Sequence, residues 1–488
     1  MKPTDGGEDH VPVDQEIVAP TIDDPIARQA SGAIGGPLGR HARIGANWWT
    51  PLRVALAVVI VVGALGIARD SYCRASNWTA PNKVVYAHAC YSDIPHMYRL
   101  RGFAQRAIPY IDKGSWEQLE YPVLTGAIMT FSALATRATS VGSIDDEAGR
   151  FYDINAWLMV IVAAVAIWAT VRTAGRRPWD GVMAASAPVI ALAGTINWDL
   201  AAVALLAVGM LAWSRREPGL AGIFIGLATA TKLYPVLVLG PLFILCLRAG
   251  RLREYGSALL GAIVSWAVVN VPVMVVAFDG WQHFYLFSKD RGADLGSIWL
   301  IFSQAGWQVD VDTLNKIWIA TLVILCVGIA WLGLAAPRRP RFAALAFLVV
   351  AAFALTIKVY SPQYAIWLVP LAVLARPRWR DFLIWQACEV IYYFAVFLYL
   401  LDGVADGRGL KEHFYWIAIL IHLLGTLYFA TMVIRDIMRP EYDPVRADGS
   451  DDPSGGVLDR APDHVSLVSR PPEHLGGVRM PATPGHDL

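Results

Sequence analysis

The sequence has little charge for its length. Only 17% of its 488 residues are charged, whereas 56% are hydrophobic, and the mean hydropathy is +0.45. This composition excludes an ordinary soluble globular protein and is typical of a protein with many membrane-spanning segments. The formal net charge is +1, from 41 basic and 40 acidic residues. Because binding to a phosphate backbone relies on a concentrated basic surface, a nucleic-acid partner is excluded as well.

Cysteine is scarce too, with five residues in the chain. Cys246, Cys326 and Cys388 lie in apolar runs, and only Cys73 and Cys90 share a polar segment. This number excludes a disulfide-rich scaffold and a zinc cluster, and it allows one disulfide in that segment at most. No set of ligand-type residues has a regular metal-binding spacing, so we expect neither a metal nor a cofactor.

Long apolar runs account for most of the chain. A spanning helix needs about 20 mostly apolar residues, or somewhat fewer where it ends inside a protein cavity. Residues 1–46 before the first run are polar and rich in Gly, Pro and Asp, so we expect an uncleaved anchor rather than a signal peptide. The sequence predicts twelve spanning helices, at residues 49–68, 151–172, 180–196, 199–214, 219–232, 233–248, 256–278, 314–336, 341–358, 363–376, 381–401 and 414–435.

One further apolar stretch, residues 121–138, can be assigned from the arginines. Basic residues in short loops stay on the cytoplasmic side of a membrane, and arginine clusters recur after every second predicted helix. If residues 121–138 crossed the membrane, every cluster from Arg172 onward would lie outside, so we predict a membrane-dipping helix. The clusters are Arg40, Arg43 and Arg53; Arg172, Arg176 and Arg177; Arg215 and Arg216; Arg248, Arg251 and Arg253; Arg338, Arg339 and Arg341; Arg376, Arg378 and Arg380; and Arg435 and Arg439.

This topology divides the chain into three parts. Residues 47–438 form an all-α polytopic membrane domain of about twelve transmembrane helices, and a large first external loop at 69–150 contains the dipping helix. The tails 1–46 and 439–488 are rich in Pro, Gly and Asp, so we expect both to be disordered and cytoplasmic. The whole chain is then a multi-pass protein of the plasma membrane.

Unusual polar residues gather at the helix ends that this topology places outside. A charge against hydrocarbon is costly and marks a cavity or a function, and non-helical backbone at membrane depth must be shielded. We therefore predict a cavity that opens outward. Its candidate residues are Asp93, Arg99, Arg101 and Glu120 in the first loop; Asp199, Lys232 and Tyr234 in two tight turns; His283, Lys289 and Arg291 in the segment 279–312; and Lys358, Tyr360 and Gln363 in the turn 358–364.

Two of these candidates are lysines in a chain that has only eight. Lys232 and Lys358 both occupy tight external turns, where a phosphate at the membrane surface would need a cation. Each candidate also has a structural interpretation: Asp93 and Asp199 can cap helices, and Lys232 can extend to the interface. For Asp93 alone, capping and catalysis are equally open, so the prediction depends on the coincidence of many polar residues on one side.

Four short motifs resemble those of a known superfamily. They are an acidic residue in a large first loop (Asp93), the Glu120-Tyr121-Pro122 entry to the dipping helix, the Thr-Lys-Leu-Tyr-Pro turn (231–235), and the Ser-Pro-Gln-Tyr-x-x-Trp-x-x-Pro run (361–370). In order and sidedness they are similar to the GT-C glycosyltransferases. The chain resembles in particular glycosyltransferase family 87, the actinobacterial polyprenyl-phosphate-mannose-dependent mannosyltransferases, over roughly residues 50–435. Many relatives have two prolines where this chain has one after Glu120.

The resemblance implies an enzyme that moves a hexose, mannose in the relatives, from a polyprenyl-phosphate donor to a lipid or cell-envelope glycan acceptor, with inversion. A carboxylate must take the proton of the attacking hydroxyl, and Asp93 is the candidate base, with Glu120 and Asp199 in reserve. Cations must hold the departing phosphate, a role for Lys232 and Lys358 with Arg99 or Arg101, so no metal is required. The other residues assigned to substrate binding are Tyr234, His283, Lys289, Arg291, Tyr360 and Gln363.

A transporter or lipid flippase is an alternative from another class, in which the same carboxylates and lysines line a permeation path. The large first loop with its dipping helix favours the enzyme. A proton-coupled carrier would also need charged residues in the middles of its helices, and we expect none there. A third interpretation is an inactive relative that acts as a scaffold in envelope assembly.

Overall fold

The structure of the protein is a computed structural model that describes residues 17–18, 24–33, 48–139, 142–405 and 407–467. Throughout these residues the regular elements are helices, and no strand occurs. The all-α prediction is therefore confirmed. Most of the predicted tail 1–46, and residues 468–488 of the other tail, lie outside the described residues.

The described residues form α-helices that we number α1 to α20 in chain order. The first seven are α1 (Pro25–Ala33), α2 (Pro51–Arg69), α3 (Ser71–Ala75), α4 (Asn82–Ala87), α5 (Asp93–Leu100), α6 (Val123–Thr139) and α7 (Ile144–Thr173). The next six are α8 (Asp180–Ala185), α9 (Pro188–Ala193), α10 (Asp199–Ser214), α11 (Pro218–Thr231), α12 (Leu239–Ala249) and α13 (Leu252–Val276). The last seven are α14 (Phe278–Asp290), α15 (Ile298–Gln304), α16 (Val311–Ala335), α17 (Phe342–Thr356), α18 (Ala365–Ala375), α19 (Trp379–Asp402) and α20 (Glu412–Met438). The 3₁₀ helices are Tyr234–Val238, Pro362–Tyr364, Pro440–Tyr442, Arg446–Asp448 and Gly456–Leu458.

Six described helices are long and apolar enough to cross a membrane, namely α2, α7, α13, α16, α19 and α20. The other apolar helices are shorter. They comprise α8 with α9, α10, α11, α12 with the 3₁₀ turn before it, α17, and α18 with the 3₁₀ turn before it. Each of the twelve predicted segments falls on one of these helical units, so their helical character is confirmed. The number of segments that cross a membrane stays a prediction.

The interior of the bundle is built around α17. Nearly all of its 15 residues are buried, and α18 beside it is buried over its whole length. By contrast, the most apolar windows of α13 and α16 are only 17% and 11% buried. A helix that is apolar on every face and yet exposed has no favourable contact with water, so the outer faces of α13 and α16 are suited to lipid.

Small residues let two of the helices approach closely. Gly222 and Gly226 in α11 lie against the backbone of Ala258 and Ala262 in α13, and a Cβ atom at either glycine would collide with those alanines. Close contact through glycines four residues apart is a common way for membrane helices to associate, since packing must replace the hydrophobic effect. Packing against α13 therefore fixes the position of the short helix α11, which ends directly before Lys232.

Arginines gather at one end of the bundle, which we call the arginine end. The guanidinium of Arg341 donates to the carbonyl of Leu374 at 2.7 Å, and that of Arg248 donates to the carbonyl of Gly333 at 2.9 Å. These carbonyls belong to the last turns of α18 and α16, where unpaired carbonyl groups and the negative end of the helix dipole favour a cation. The arginines thus stabilise helix ends, in addition to any role in orienting the chain.

The segment 440–467 packs against the arginine end, so the prediction of a disordered tail was wrong for these residues. Asp463 pairs with Arg248 at 2.9 Å and with Arg339 at 2.7 Å. Asp452 accepts from the backbone N–H of Phe342 at 2.7 Å, which caps the start of α17 from 110 residues away. Its Pro, Gly and Asp composition indicated disorder because the arginines that bind its carboxylates are far away in sequence.

The amino-terminal tail also has an ordered part at this end. Residues Pro25–Ala33 form α1, and the carboxylate of Asp24 before it accepts from the backbone N–H of Trp379 at 3.0 Å. Disorder was therefore the wrong expectation for residues 24–33. Both terminal segments that the structure describes lie at the arginine end.

The opposite end, which we call the tip end, carries the first loop and the tight turns of the sequence. A disulfide joins Cys73 to Cys90 in this loop. Helix α6, the predicted dipping helix, has both its first and its last turn at the tip end. In the first turn Thr125 donates to the carbonyl of Thr231 at 2.6 Å, and in the last turn Arg137 donates to the carbonyl of Phe103 at 2.7 Å. These contacts agree with a helix that does not cross the bundle, and its depth in a membrane stays a prediction.

Candidate functional site

A cavity of about 730 Å³ opens at the tip end. Its walls come from α5, the turn before α6, the tips before α10 and after α11, the end of α14, the turn 361–364 and α19. The size is within the range of about 300–1,000 Å³ that is usual for ligand pockets. Segments from distant parts of the sequence thus build one polar site, and it brings together Asp93, Arg101, Glu120, Lys232, Arg291 and Gln363 among the predicted residues.

Asp93 is the first residue of α5 and is not its cap. Ser92 caps the helix by accepting from the backbone N–H of Ile94 at 3.3 Å. The carboxylate of Asp93 instead accepts from the hydroxyl of Tyr91 at 2.8 Å and from that of Tyr121 at 3.3 Å. The capping interpretation of Asp93 is therefore wrong, and its side chain is available to the cavity.

The backbone around Asp93 is fixed by the neighbouring turn. The Asp93 N–H donates to the carbonyl of Ile196 at 2.8 Å, and the Ser92 hydroxyl donates to that of Thr195 at 2.7 Å. Thr195 in turn donates to the carboxylate of Asp70 at 2.6 Å. Because Asp70 is completely buried at the end of α2, this chain of hydrogen bonds joins the position of Asp93 to the core.

Burial changes the acidity of Asp93. The half-buried side chain lines the cavity, and desolvation by the surrounding protein raises the pKa of Asp93 above its usual value. The hydrogen bond from Tyr91 and the charge of Lys232 act in the opposite direction and only partly offset it. A carboxylate with a raised pKa is a stronger base, which suits proton abstraction from a hydroxyl.

Lys232 lies at the cavity wall, directly after α11. Its Nζ is 2.7 Å from Oδ1 of Asp199, and it lies 5.2 Å from the ring centroid of Tyr121 and 5.6 Å from that of Tyr364. The other carboxylate oxygen of Asp199 accepts from the indole of Trp367 at 2.8 Å. The ammonium is therefore held between an acidic group and two aromatic faces, a setting that keeps it charged and directed.

Asp199 is buried and serves as the counter-ion of Lys232. It does not cap α10 through its own side chain, because Asn197 accepts from the Asp199 N–H at 3.0 Å. Asp199 does not line the cavity. The reserve assignment of Asp199 as a catalytic base therefore finds no support in this arrangement.

A second acid–base pair occupies another part of the cavity wall. Arg101 binds Glu120 through two parallel hydrogen bonds, of 2.6 Å and 2.8 Å, and also lies close to Glu117. Two-pronged arginine–carboxylate pairs are strong and well oriented. Glu120 is thus neutralised by Arg101, whereas Asp93 has only tyrosine hydroxyls in direct contact, which distinguishes the two as candidate bases.

Arg291 enters the cavity from the residue after α14. Its guanidinium donates twice to one carboxylate oxygen of Asp294, at 3.1 Å and 2.6 Å. Lys358 stabilises this corner from behind, because its Nζ donates to the backbone carbonyls of Ser288 at 3.2 Å, Lys289 at 3.0 Å and also Arg291. Burial and the charge of Arg291 lower the pKa of Lys358. Lys358 itself is buried and does not line the cavity.

The remaining predicted residues lie outside the cavity. Arg99 binds Asp145 at 2.8 Å and the carbonyl of Asn77, at the surface of the first loop. Tyr234 is buried in a stack with Trp367, their ring centroids 4.4 Å apart. Tyr360 is buried near Thr426, and His283 and Lys289 lie on α14 but do not line this cavity.

Several cavity residues were missed in the sequence. Tyr91, Tyr121 and Tyr364 surround Asp93 and Lys232, and His96 and Asn197 also line the wall. Tyrosines near a membrane surface usually belong to the interfacial belt, so their number gave no signal. Tyr121 and Tyr364 do stand inside two of the recognised motifs, and that position was the available signal.

The expectation that the middles of the helices carry no charged residues was wrong. Glu389 and His422 lie near the middles of α19 and α20 and are both buried, with His422 Nδ1 and Glu389 Oε2 3.4 Å apart. The helix middles are therefore not free of ionisable groups. Among the described residues no group of three or more His, Cys, Asp or Glu is arranged to hold a metal ion.

The chain is an all-helical membrane bundle with a polar cavity at one end of its helices. Part of this bundle also matches the model of a protein family, and together these findings define its class as a membrane glycosyltransferase. The matching model is that of glycosyltransferase family 87, a GT-C type family, and it covers residues 121–357. This match supports the resemblance to glycosyltransferase family 87 found in the sequence. No match was found among curated proteins.

The matched segment includes Lys232 and Arg291 but begins after Asp93. The family assignment therefore covers the cationic part of the cavity, and the role of Asp93 depends on its geometry.

Proposed function

We propose that the chain transfers a hexose, mannose, from a polyprenyl-phosphate donor to a hydroxyl of a lipid or cell-envelope glycan acceptor. The reaction takes place at the external face of the plasma membrane and inverts the anomeric carbon. The observation that carries the proposal is the meeting of a half-buried carboxylate, Asp93, with two cations, Lys232 and Arg291, in a single cavity at the tip end.

Asp93 is the general base in this proposal. The acceptor oxygen forms a bond to the anomeric carbon, and the hydroxyl proton passes to the Asp93 carboxylate. The bond from that carbon to the phosphate oxygen breaks, and polyprenyl phosphate leaves with the electron pair. The hydroxyls of Tyr91 and Tyr121 orient the carboxylate through their hydrogen bonds.

Lys232 and Arg291 hold the phosphate. An ammonium has three donors and a guanidinium has five, so each side chain can keep its acidic partner and still bind a phosphate oxygen. Their positive charges offset the negative charge that develops on the departing phosphate. Such electrostatic stabilisation of the transition state is usually the largest contribution to the rate. Gln363 and Tyr364 border the same region and are suited to the sugar hydroxyls.

An apolar groove beside the cavity supports a lipid donor. The groove is about 800 Å³ in volume, lies between α14 and α16, and shares Phe284 and Ser288 with the cavity. Its mainly apolar lining includes Leu233, Trp318 and Ile319. A prenyl chain in this groove would leave its phosphate beside Lys232 and Arg291, and Lys289 and Lys316 at the groove would face the membrane interface.

The membrane orientation follows from the arginine clusters. With the arginine end on the cytoplasmic side, the cavity and the first loop 69–150 face outward, and residues 47–438 form the catalytic membrane domain. The two terminal segments then lie in the cytoplasm.

Turnover of donor tests the proposal. Purified protein in detergent is incubated with polyprenyl-phosphate mannose or with a nucleotide-linked mannose. The leaving group is measured in each case, polyprenyl phosphate from the lipid donor and nucleoside diphosphate from the nucleotide donor. Release from the lipid donor only, increased by a glycan acceptor, is the expected result. Release from the nucleotide donor, or from neither, would contradict the proposed donor.

A flippase is kept as a second candidate because Glu389 and His422 lie inside the helix bundle. Intramembrane ionisable residues often belong to a transport path. Movement of a fluorescent polyprenyl-phosphate sugar between the leaflets of proteoliposomes, with no release of polyprenyl phosphate, would favour the flippase over the transferase.

A further inference from the structure

A buried polar cluster outside the cavity joins α19 and α20 to the loop 291–297. Glu389 accepts from the indole of Trp385 at 3.0 Å and from the hydroxyl of Thr426 at 3.2 Å. Its second oxygen faces Nδ1 of His422, whose Nε2 lies 3.0 Å from the carbonyl of Gly296. Glu389 and His422 are almost completely buried, so water does not compete for these hydrogen bonds.

The carbonyl of Gly296 fixes the proton arrangement of this pair. A carbonyl only accepts, so Nε2 of His422 must carry a hydrogen and donate it to Gly296. The contact between Nδ1 and Glu389 then also needs a proton between its two atoms, on either the ring or the carboxyl group. The pair thus holds one proton and directs the imidazole N–H at the loop, as a carboxylate commonly does for a histidine.

Aromatic rings hold the imidazole in place. The ring of Tyr392 stacks on that of His422 with centroids 4.0 Å apart, and Tyr360 meets it edge-on at 4.3 Å. Tyr392 also donates to the carbonyl of Tyr360 at 3.0 Å. Gly296 has φ +76, and a Cβ there would collide with Tyr360 and Tyr392, so this position needs glycine.

A short path leads from Gly296 to the cavity. The backbone N–H of Leu295 donates to Oδ1 of Asp294 at 2.7 Å, and the other oxygen of Asp294 accepts from Arg291. Arg291 and Leu295 both line the cavity. Two backbone hydrogen bonds also join the loop to the turn 358–360. The Asp294 N–H donates to the carbonyl of Lys358, and the Tyr360 N–H donates to the carbonyl of Leu295, each at 2.9 Å.

We propose that His422, held by Glu389, is a positioning residue that sets the place of Arg291 in the cavity through the loop 291–297. The proposal rests on the proposed function, in which Arg291 binds the donor phosphate. Because Arg291 binds the donor phosphate and also offsets the charge that develops on it during transfer, the loss of His422 lowers kcat/KM for the donor, with a contribution from kcat as well as from KM.

The test compares His422→Phe with Glu389→Gln. Phenylalanine keeps the stack on Tyr392 but cannot donate to Gly296. Glutamine at 389 can donate its amide to Nδ1 and still accept from Trp385 and Thr426, so it keeps the imidazole N–H directed at Gly296. Thr431→Ala, at an exposed position of the same helix α20, is the matched control.

Donor kinetics give the first measurement. His422→Phe is expected to lower kcat/KM for the donor by about tenfold, while Glu389→Gln and Thr431→Ala stay near wild type. In the double variant with Arg291→Ala, the two effects should not add, since both act through Arg291. Additive effects, or a normal kcat/KM in His422→Phe, would overturn the proposal.

Hydrogen exchange separates this proposal from the proposed function. His422→Phe should speed amide exchange at Asp294 and Tyr360, whose N–H groups bond within this loop and its partner turn, and leave α17 and α18 unchanged. This result is expected even if the wild-type protein turns over no polyprenyl-phosphate donor, an outcome that would refute the proposed function alone. Unchanged exchange at those amides would refute the positioning role.

Discussion

The Nζ of Lys232 lies 2.7 Å from Oδ1 of Asp199, and the indole of Trp367 donates to the other oxygen of the same carboxylate. Asp199 is buried, whereas Lys232 still reaches the cavity. One member of this ion pair is therefore structural and the other is available to a ligand. This division separates Asp199 from Asp93, which has no cation in direct contact and remains the candidate base.

The ion pair makes a prediction for stability. Lys232→Gln should lower the free energy of unfolding by about 3–5 kcal/mol, because it leaves the buried carboxylate of Asp199 without a cation. Asp199→Asn should lower it by less, because Lys232 reaches the cavity. The double variant should be more stable than the sum of the two losses predicts, because it leaves no unpaired charge. Thermal unfolding in detergent measures this. Strictly additive losses in the double variant would show that the pair does not interact as described.

The acidity of Asp93 predicts the pH dependence of transfer. The base must be deprotonated, and burial raises the pKa of Asp93, so transfer should fall on acidification at a pH above about 3.9, the usual aspartate value. Tyr91→Phe removes a hydrogen bond that lowers this pKa, so it should move the acidic limb to higher pH. Arg99→Gln, outside the cavity, is the control. A limb that stays in place or moves to lower pH in Tyr91→Phe would contradict this assignment.

The same raised pKa predicts how Asp93 affects folding. The folded protein binds the proton more tightly than the unfolded chain, so the contribution of Asp93 to stability falls as the pH rises between the unfolded and folded pKa values. At neutral pH the charged form therefore costs stability. Asp93→Asn should unfold at a temperature equal to or higher than that of the wild type at neutral pH. A clear decrease, absent in Asp145→Asn on the surface, would be the opposite outcome.

The segment 440–467 predicts a difference between two truncations. A chain that ends at residue 467 keeps the contacts of Asp443, Asp452 and Asp463 with the arginine end, whereas a chain that ends at 439 loses all three. Removal leaves Arg248 and Arg341 buried without a carboxylate, and the longer chain should therefore be markedly more stable. Melting in detergent distinguishes them. Equal melting temperatures would mean that the segment is only loosely attached.

Much of the fold could be predicted because apolar runs of membrane length admit few alternatives. Each of the twelve predicted segments falls on a helical unit, and the arginine clusters indicated which helix ends meet. The segment 440–467 could not be predicted, since its stability comes from carboxylates that pair with distant arginines. Composition alone contains no information on such pairs.

Part of the site could also be predicted from the sequence. Asp93, Lys232 and Arg291 were found because charged residues at helix ends are unusual, and the cavity contains all three. Lys358 shares that signal but binds the carbonyls at the end of α14, about 70 residues earlier in the chain. A tight turn with a lysine does not reveal whether its ammonium faces a ligand or a helix end, and only the tertiary structure separates the two.

In the proposed reaction Asp93 takes the proton of the acceptor hydroxyl, and the decisive measurement of this role is transfer by purified Asp93→Asn. Release of polyprenyl phosphate from polyprenyl-phosphate mannose is measured for the wild type, for Asp93→Asn, and for Asp145→Asn as a control in the same loop. We expect a folded Asp93→Asn protein with transfer reduced by about 10²–10⁴-fold, the usual contribution of general-base catalysis, and a control near wild type. A folded Asp93→Asn protein that transfers at a near-normal rate would show that Asp93 is not the base.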